Sequence, residues 1–167
     1  TINKRNIDFC FINPSILSTI VEFISYKLNN SKKLDILCGS APLSKTHLKK
    51  FINIINCNFN QCYGLTETSN TLICMPSAMD NELKKKLYFN QKIPSIGQSL
   101  KNCEIKILIK NKFCNEQKII GEIIATGPNI VNQENTLHKN FFYKKKWLRT
   151  GDLGYFIIIK NRKYYFI

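Results

Sequence analysis

Leu34-Asp35-Ile36-Leu37-Cys38-Gly39-Ser40-Ala41-Pro42-Leu43-Ser44 contains an apolar run, a tight turn and a helix start in immediate succession. Leu34 to Cys38 is bounded by Lys33 and Gly39, so it reads as a short buried strand. Gly39 to Pro42 is a turn, and Ser44 caps a helix with Leu48, Phe51, Ile52 and Ile55 on one face. A further strand falls near Asn58 to Gln61. Upstream, Phe9 to Ile12 is a buried strand, and Asn13-Pro14 starts a helix with Asn as cap and Pro in the first turn. Ile16, Leu17, Ile20, Val21, Ile24 and Leu28 then recur at helical spacing as far as Asn29-Asn30. Strand-helix-strand-helix-strand order predicts a parallel α/β sheet.

The pattern changes after Gly64. Thr71 to Met75 reads as a strand, and the charged stretch from Asp80 to Leu87 as a helical turn. From Ile93 onward strands dominate: Cys103 to Ile109, Ile119 to Thr126, Tyr155 to Ile159 and Lys163 to Ile167, punctuated by Gly97, Gly121, Gly127-Pro128 and Gly151. The expected fold is therefore α/β. Part of a parallel α/β sheet forms a subdomain over residues 1–90, and a smaller, mostly β subdomain covers residues 91–167. The chain opens on Thr1 and stops on Tyr164-Tyr165-Phe166-Ile167, so both ends read as cuts through a longer protein.

Composition narrows the function. An apolar fraction of 44% with 11 Phe and 7 Tyr excludes a disordered chain. The net charge of +14 comes almost wholly from Lys; the only arginines are Arg5, Arg149 and Arg162. Nucleic-acid readers cluster Arg with aromatics, whereas these Lys are spread among Asn and Ile, so no nucleic-acid partner is expected. The positive potential suits polyanions such as ATP or CoA. The cysteines at 10, 38, 57, 62, 74, 103 and 114 form no C-x-x-C pair, and His47 and His138 are the only histidines, so no zinc site is predicted. They read as small core residues in a reducing, cytoplasmic compartment. Glu22 and Lys27 interrupt the most apolar segment, so no membrane span is expected.

Four segments carry chemistry. They are Gly39-Ser40-Ala41-Pro42-Leu43-Ser44, Gln61-Cys62-Tyr63-Gly64-Leu65-Thr66-Glu67-Thr68, Gly121-Glu122-Ile123 with Gly127-Pro128-Asn129, and Thr150-Gly151-Asp152-Leu153-Gly154. Tyr63-Gly64 follows a strand, at the carboxyl end of the sheet where open α/β folds bind ligands, and Gly64 allows close backbone approach. Tyr63 offers a flat face to a base. Thr66 offers a hydroxyl, and Glu67 a hard oxygen suited to Mg2+. Asp152, read as lying in a Gly-flanked turn, can accept both protons of a ribose diol. Gly121-Glu122 alone reads as a strand start with a solvated acid.

Taken together, these motifs resemble the adenylate-forming superfamily: acyl-CoA synthetases, coumarate-CoA ligase, luciferases and peptide-synthetase adenylation domains. The segment after Ile96-Gly97, through Ser99 to Ile107, looks more like the CoA ligases. The resemblance implies that Gly39, Ser40, Ala41 and Pro42 line the adenine and acyl pockets. It implies that Gln61 and Cys62 contact adenine, that Tyr63 stacks on it and that Gly64 belongs to the same nucleotide loop. Thr66 would hold the α-phosphate, Glu67 Mg2+, and Asp152 the ribose hydroxyls. Thr66 and Glu67 would be the catalytic pair, and residues 1–90 would carry the adenine and phosphate pocket. The implied reaction joins a carboxylic acid to ATP as acyl-AMP, then passes the acyl group to CoA, as in fatty acid metabolism.

The sequence departs from that family in places. Its Gly-rich phosphate loop with Lys, the Gly-Arg segment past Ile167 and the small domain with a catalytic Lys are not in these residues. Asn132-Gln133 stands where Gly-Tyr is usual, and Phe156 to Lys160 replaces an acidic hairpin. The alternatives are a non-catalytic nucleotide-binding remnant or an adenylation domain serving a carrier protein.

Overall fold

The computed structural model describes residues 7–24, 33–131 and 141–167. The expected helical stretch around Leu28 to Asn30, and the Asn132-Gln133 departure, lie outside the described residues. Two compact units emerge: residues 1–62 with 75–94, and residues 63–74 with 95–167. The loop 63–74, read from sequence with the first half, packs with the second.

In the first unit β1 (Phe9–Ile12), β2 (Leu34–Cys38) and β3 (Cys57–Tyr63) are parallel neighbours, with Phe9 opposite Asp35 and Leu34 opposite Cys57. Crossover helices make that pairing possible. Helix α1 (Pro14–Phe23) starts where the Asn13 side chain accepts from Ile16 N at 2.8 Å. Helix α2 (Lys45–Ile54) starts at Ser44, whose hydroxyl accepts from His47 N. The Ser18 hydroxyl meets His47 Nδ1 at 2.7 Å, tying the two helices together. Leu17, Ile36, Leu48, Phe51 and Phe59 are buried between helices and sheet, and the Phe51 and Phe59 rings meet edge-on at 6.2 Å.

The stretch read as one helical turn is a full helix, α3 (Asn81–Phe89). Asp80 caps it, accepting from Leu83 N at 2.9 Å. Its apolar content is low, but Leu87 and Tyr88 are buried. Tyr88 meets Phe59 at 5.9 Å. Tertiary packing, more than helical periodicity, holds this segment.

The second unit is antiparallel. Strands β6 (Glu104–Ile109), β8 (Gly121–Thr126), β10 (Trp147–Ile159) and β11 (Arg162–Phe166) lie side by side; β7 (Lys112–Cys114) pairs with β6, and β9 (Phe142–Tyr143) with β10. Strand β4 (Ile73–Cys74) pairs antiparallel with β5 (Gln98–Ser99). One face buries Ile73, Ile105, Ile107, Ile123, Phe156 and Tyr165. The other holds Leu108, Ile124 and Trp147, with Lys106 lying 4.5 Å from the Phe113 ring centre and 4.6 Å from that of Trp147. The outer edge of β11 is covered at Tyr165, which donates to Gly97 O at 2.8 Å and accepts from Ile96 N at 3.0 Å.

Two hairpin tips are two-residue turns with both positions left-handed, Lys110-Asn111 and Lys160-Asn161, and the β9–β10 tip spans three residues, with Lys144 and Lys145 left-handed. The turn at 160–161 closes the hairpin where the family resemblance implies a different, acidic one. No helix among the described residues is long and apolar enough to cross a membrane.

Removing the Asp80 cap with Asp80→Ala is expected to cost about 1 kcal/mol. Emptying the α2–β3 contact with Phe51→Ala is expected to cost about 3–5 kcal/mol. Urea unfolding followed by circular dichroism checks both values and their order.

Candidate functional site

Strand β3 delivers the motif residues. Gln61 and Cys62 are buried in the first unit, and Tyr63 opens the second. Gln61 N donates to the Tyr88 hydroxyl at 3.0 Å, and Gln61 O accepts from Met75 N at 2.8 Å. The Gln61 Oε1 atom is buried without a hydrogen-bond partner among the described residues. A buried acceptor left in that state is unfavourable unless a ligand donor reaches it.

The Gly39–Pro42 turn lies in the same unit. Register sets Cys38 opposite Gln61. A Cβ on Gly39 would lie 2.6 Å from Cys62 Sγ and 3.1 Å from Cys62 O, so a larger residue there would displace the Cys62 side chain. Ser40 is left-handed at φ 75°, and Ser40, Ala41 and Pro42 are exposed. Burial pushes the Cys38 thiol up to about 12, with neighbouring Cys62 adding to the effect, so it stays protonated and inert.

In the second unit the chain folds back on itself directly after Tyr63. Leu72 N donates to Tyr63 O at 2.8 Å. A Cβ on Gly64 would stand 2.5 Å from the Asn70 carbonyl, inside any permitted contact. Between these residues Thr66–Thr68 forms a 3₁₀ turn with Thr66 exposed and Glu67 half-buried. Thr68, fully buried, accepts from Leu65 N at 2.9 Å and donates to Leu65 O at 3.0 Å.

Asn129 clamps this loop. Its side-chain amide donates to Thr68 O at 3.0 Å and Thr71 O at 2.6 Å, and its Oδ1 accepts from Cys103 Sγ at 2.9 Å. Glu67 O accepts from Val131 N at 2.9 Å. Sequence reading singled out Gly127-Pro128-Asn129 but gave Asn129 no task.

Asp152 lies not in a turn but inside β10, where a bulge between Arg149 and Leu153 shifts the register against β8. Gly151 takes φ 77° there, a conformation natural to glycine. The Thr150 hydroxyl donates to Ile123 O at 2.8 Å and accepts from Asp152 N at 3.1 Å. Glu122 is likewise not a solvated acid. It accepts from Arg149 Nε at 3.1 and 2.9 Å and from Gly151 N at 3.3 Å, with its side chain only 15% exposed. The bulge so held aims the Asp152 carboxylate at the loop, where Tyr63 Oη donates to Asp152 Oδ2 at 2.6 Å. The second and fourth motifs, 89 residues apart, therefore meet through one hydrogen bond. Burial pushes the Tyr63 phenol well above its ordinary range, and the bond to Asp152 pushes it further.

A parallel α/β unit followed in sequence by an antiparallel β unit, with the Tyr63–Thr68 loop after the third parallel strand, is the large-domain fold of adenylate-forming proteins. The AMP-binding enzyme family matches residues 1–133, and the chain belongs to that family. Acyl-CoA ligase azaF of Aspergillus niger is 31% identical over 180 residues, spanning 100% of this chain and 31% of its own. Fatty acid–[acyl-carrier-protein] ligase ScoC of Streptomyces coeruleorubidus is 45% identical over 131 residues, 74% of this chain and 24% of its own. O-succinylbenzoate coenzyme A synthetase from Bacillus subtilis, solved in complex with ATP and magnesium ion, aligns with TM-score 0.71 and 26% identity over 98% of this chain and 32% of that one. The chain spans about a third, 31%, of the length of the first curated relatives it matches.

Two measurements probe this geometry. Asn129→Ala removes the side-chain donor from the Thr71 carbonyl and leaves the Thr68 carbonyl with Thr71 N alone. It should destabilise the second unit by about 1–3 kcal/mol, with faster hydrogen exchange at Leu72 and Val131. The pH dependence follows from Tyr63 and from Tyr165, whose phenol burial pushes up to about 12. The unfolded chain loses these protons near the ordinary value of 10.0 while the folded chain keeps them, so stability should fall as pH rises above it. Tyr63→Phe should make that fall shallower.

Proposed function

We propose that this chain forms the nucleotide-binding part of an acyl-activating ligase. A carboxylate oxygen attacks the α-phosphorus of ATP and pyrophosphate leaves; the CoA thiolate then attacks the acyl carbon of acyl-AMP, and AMP leaves as the thioester forms. One observation carries the reading: Tyr63 and Asp152 meet at 2.6 Å, which sets an aromatic face beside a carboxylate, the pair that a nucleoside needs. The acyl-CoA ligase relative and the ATP-bound synthetase structure support it.

The residue roles are those that the family resemblance implies. Tyr63 stacks on adenine, its ring fixed by the hydroxyl bond, while Asp152 accepts from the ribose diol with its remaining lone pairs. The unpartnered Gln61 Oε1 suits the adenine amino group as a donor. Cys62, Gly39, Ser40, Ala41 and Pro42 line the adenine and acyl ends, and Gly64 keeps the loop tight. Thr66 donates to the α-phosphate.

Magnesium is matched by the donors present. Mg2+ takes one or two carboxylates plus substrate phosphates and keeps several waters. Glu67 is one such carboxylate, half-buried at the loop, and no cluster of three ligating side chains occurs among the described residues. Glu67 would hold the ion, which would supply positive charge against the phosphates, and Thr66 would donate to the α-phosphate. The substrate is a fatty acid or another carboxylic acid, and the compartment is the cytoplasm. The ScoC relative supports a carrier protein as the alternative thioester acceptor.

Calorimetric titration of ATP and Mg2+ tests the assignment. Asp152→Ala should weaken binding about tenfold or more, and Glu67→Ala should remove its metal dependence. An absence of any nucleotide binding would sink the reading. Exchange of pyrophosphate into ATP by these 167 residues should stay at background, because they contain no phosphate loop or catalytic Lys.

A further inference from the structure

A cleft of about 230 Å³ opens in the first unit between α2, α3 and the first half of β3. It lies at the strand's opening residues, Cys57 to Phe59, whereas the motif residues lie at its closing end. Leu48, Ile52, Phe59 and Phe89 form an apolar wall. Lys33, Lys84 and Lys85 stand on the same lining, which includes no Asp or Glu.

Lys84 is the unusual member. It is a lysine only 8% exposed, and its ammonium donates to Asn58 Oδ1 at 2.8 Å and Asn60 Oδ1 at 2.7 Å. Lysine is almost never fully buried unless its charge is satisfied, so an ammonium fixed at a cleft wall marks a place built for a cation. Lys33 and Lys84 are both near enough to pull the Cys57 thiol down, although burial dominates and pushes it up to about 11. The thiol therefore lines the cleft as a neutral group. Lys85 also holds Glu82 at 2.9 Å on the exposed side, a pair worth little in water.

Size and chemistry together restrict the ligand. A cavity of roughly 150 Å³ holds a benzene ring, so this one admits a ring or short chain with a small acidic group. We propose that this cleft is a second binding site, for a small aromatic or short-chain carboxylate, with the acid between Lys33 and Lys84 and the apolar part against Ile52, Phe59 and Phe89. The site is separate in place and chemistry from the nucleotide residues and does not depend on their assignment. It has a direct neighbour among them all the same. Tyr88, which lines the cleft, receives the Gln61 backbone N–H.

Phenylacetate serves as the probe, with phenylacetamide as its uncharged counterpart. In amide NMR spectra of the ¹⁵N-labelled chain, phenylacetate should give saturable shifts at residues 52, 57–59 and 84–89, while the amide should bind about fivefold or more weakly. Lys33→Glu, at an exposed side chain, should weaken phenylacetate by a similar factor, and Ile52→Trp should fill the cleft and abolish the shifts. Asp152→Asn should leave phenylacetate binding unchanged, which separates failure of this site from failure of the nucleotide reading. Equal binding of acid and amide, no saturable shift up to about 10 mM, or shifts confined to residues 39–42 would each overturn the proposal.

Discussion

The second unit depends on one steric constraint: the chain leaving Tyr63 must pass within a methyl group's width of its own return at Asn70. Only glycine at residue 64 permits that. The reversal lets Leu72 bond back to Tyr63, and Thr68 stitches the inside of the loop to Leu65. Asn129 then fixes it from a different part of the chain by taking two backbone carbonyls at once. Without this closure, Thr66 and Glu67 would sit on an open loop, and the phosphate and metal positions proposed for them would carry the entropy of ordering it.

The partner half of the site is built by an interruption in a regular strand. A strand alternates its side chains strictly, and β10 needs Asp152 aimed where alternation would not send it. The bulge at Thr150-Gly151 re-aims it, and the Glu122–Arg149 pair with the Thr150 hydroxyl holds the distorted backbone groups. Electrostatics that look like surface decoration therefore act on site geometry. The Arg149–Glu122 pair contributes little by charge alone, since Arg149 is 43% exposed, but its two-pronged contact fixes a direction.

Much of this was legible in sequence. The three parallel strands, the Asn13 and Ser44 caps and the Tyr63–Glu67 loop follow from local apolar runs, capping residues and spacing, all of which act over a few residues. What escaped was set by distant partners. Helix α3 has an apolar face too thin to announce itself, and Phe59 and the buried Lys84 anchor it. Strand β10 begins at Trp147 because β9 pairs with it there and β8 pairs with it from Leu148, although Thr150-Gly151-Asp152 read locally as a turn. Gly151 gave the correct backbone angle but the wrong element, since glycine serves turns and bulges alike. The task of Asn129 needed knowledge that the Thr68 and Thr71 carbonyls, 61 and 58 residues upstream, come within reach of its amide.

Strand β11 lies at the margin of its sheet, the kind of border where a foreign polypeptide can add itself and seed fibrous assembly. The clasp between Tyr165 and residues 96–97 occupies the middle of that border. Arg162 and Lys163, both exposed, add cationic side chains at its start. Hydrogen bonding within the molecule and mutual repulsion between molecules thus guard one short margin together, and this basic chain resists intermolecular strand addition there through the same residues that complete its own sheet.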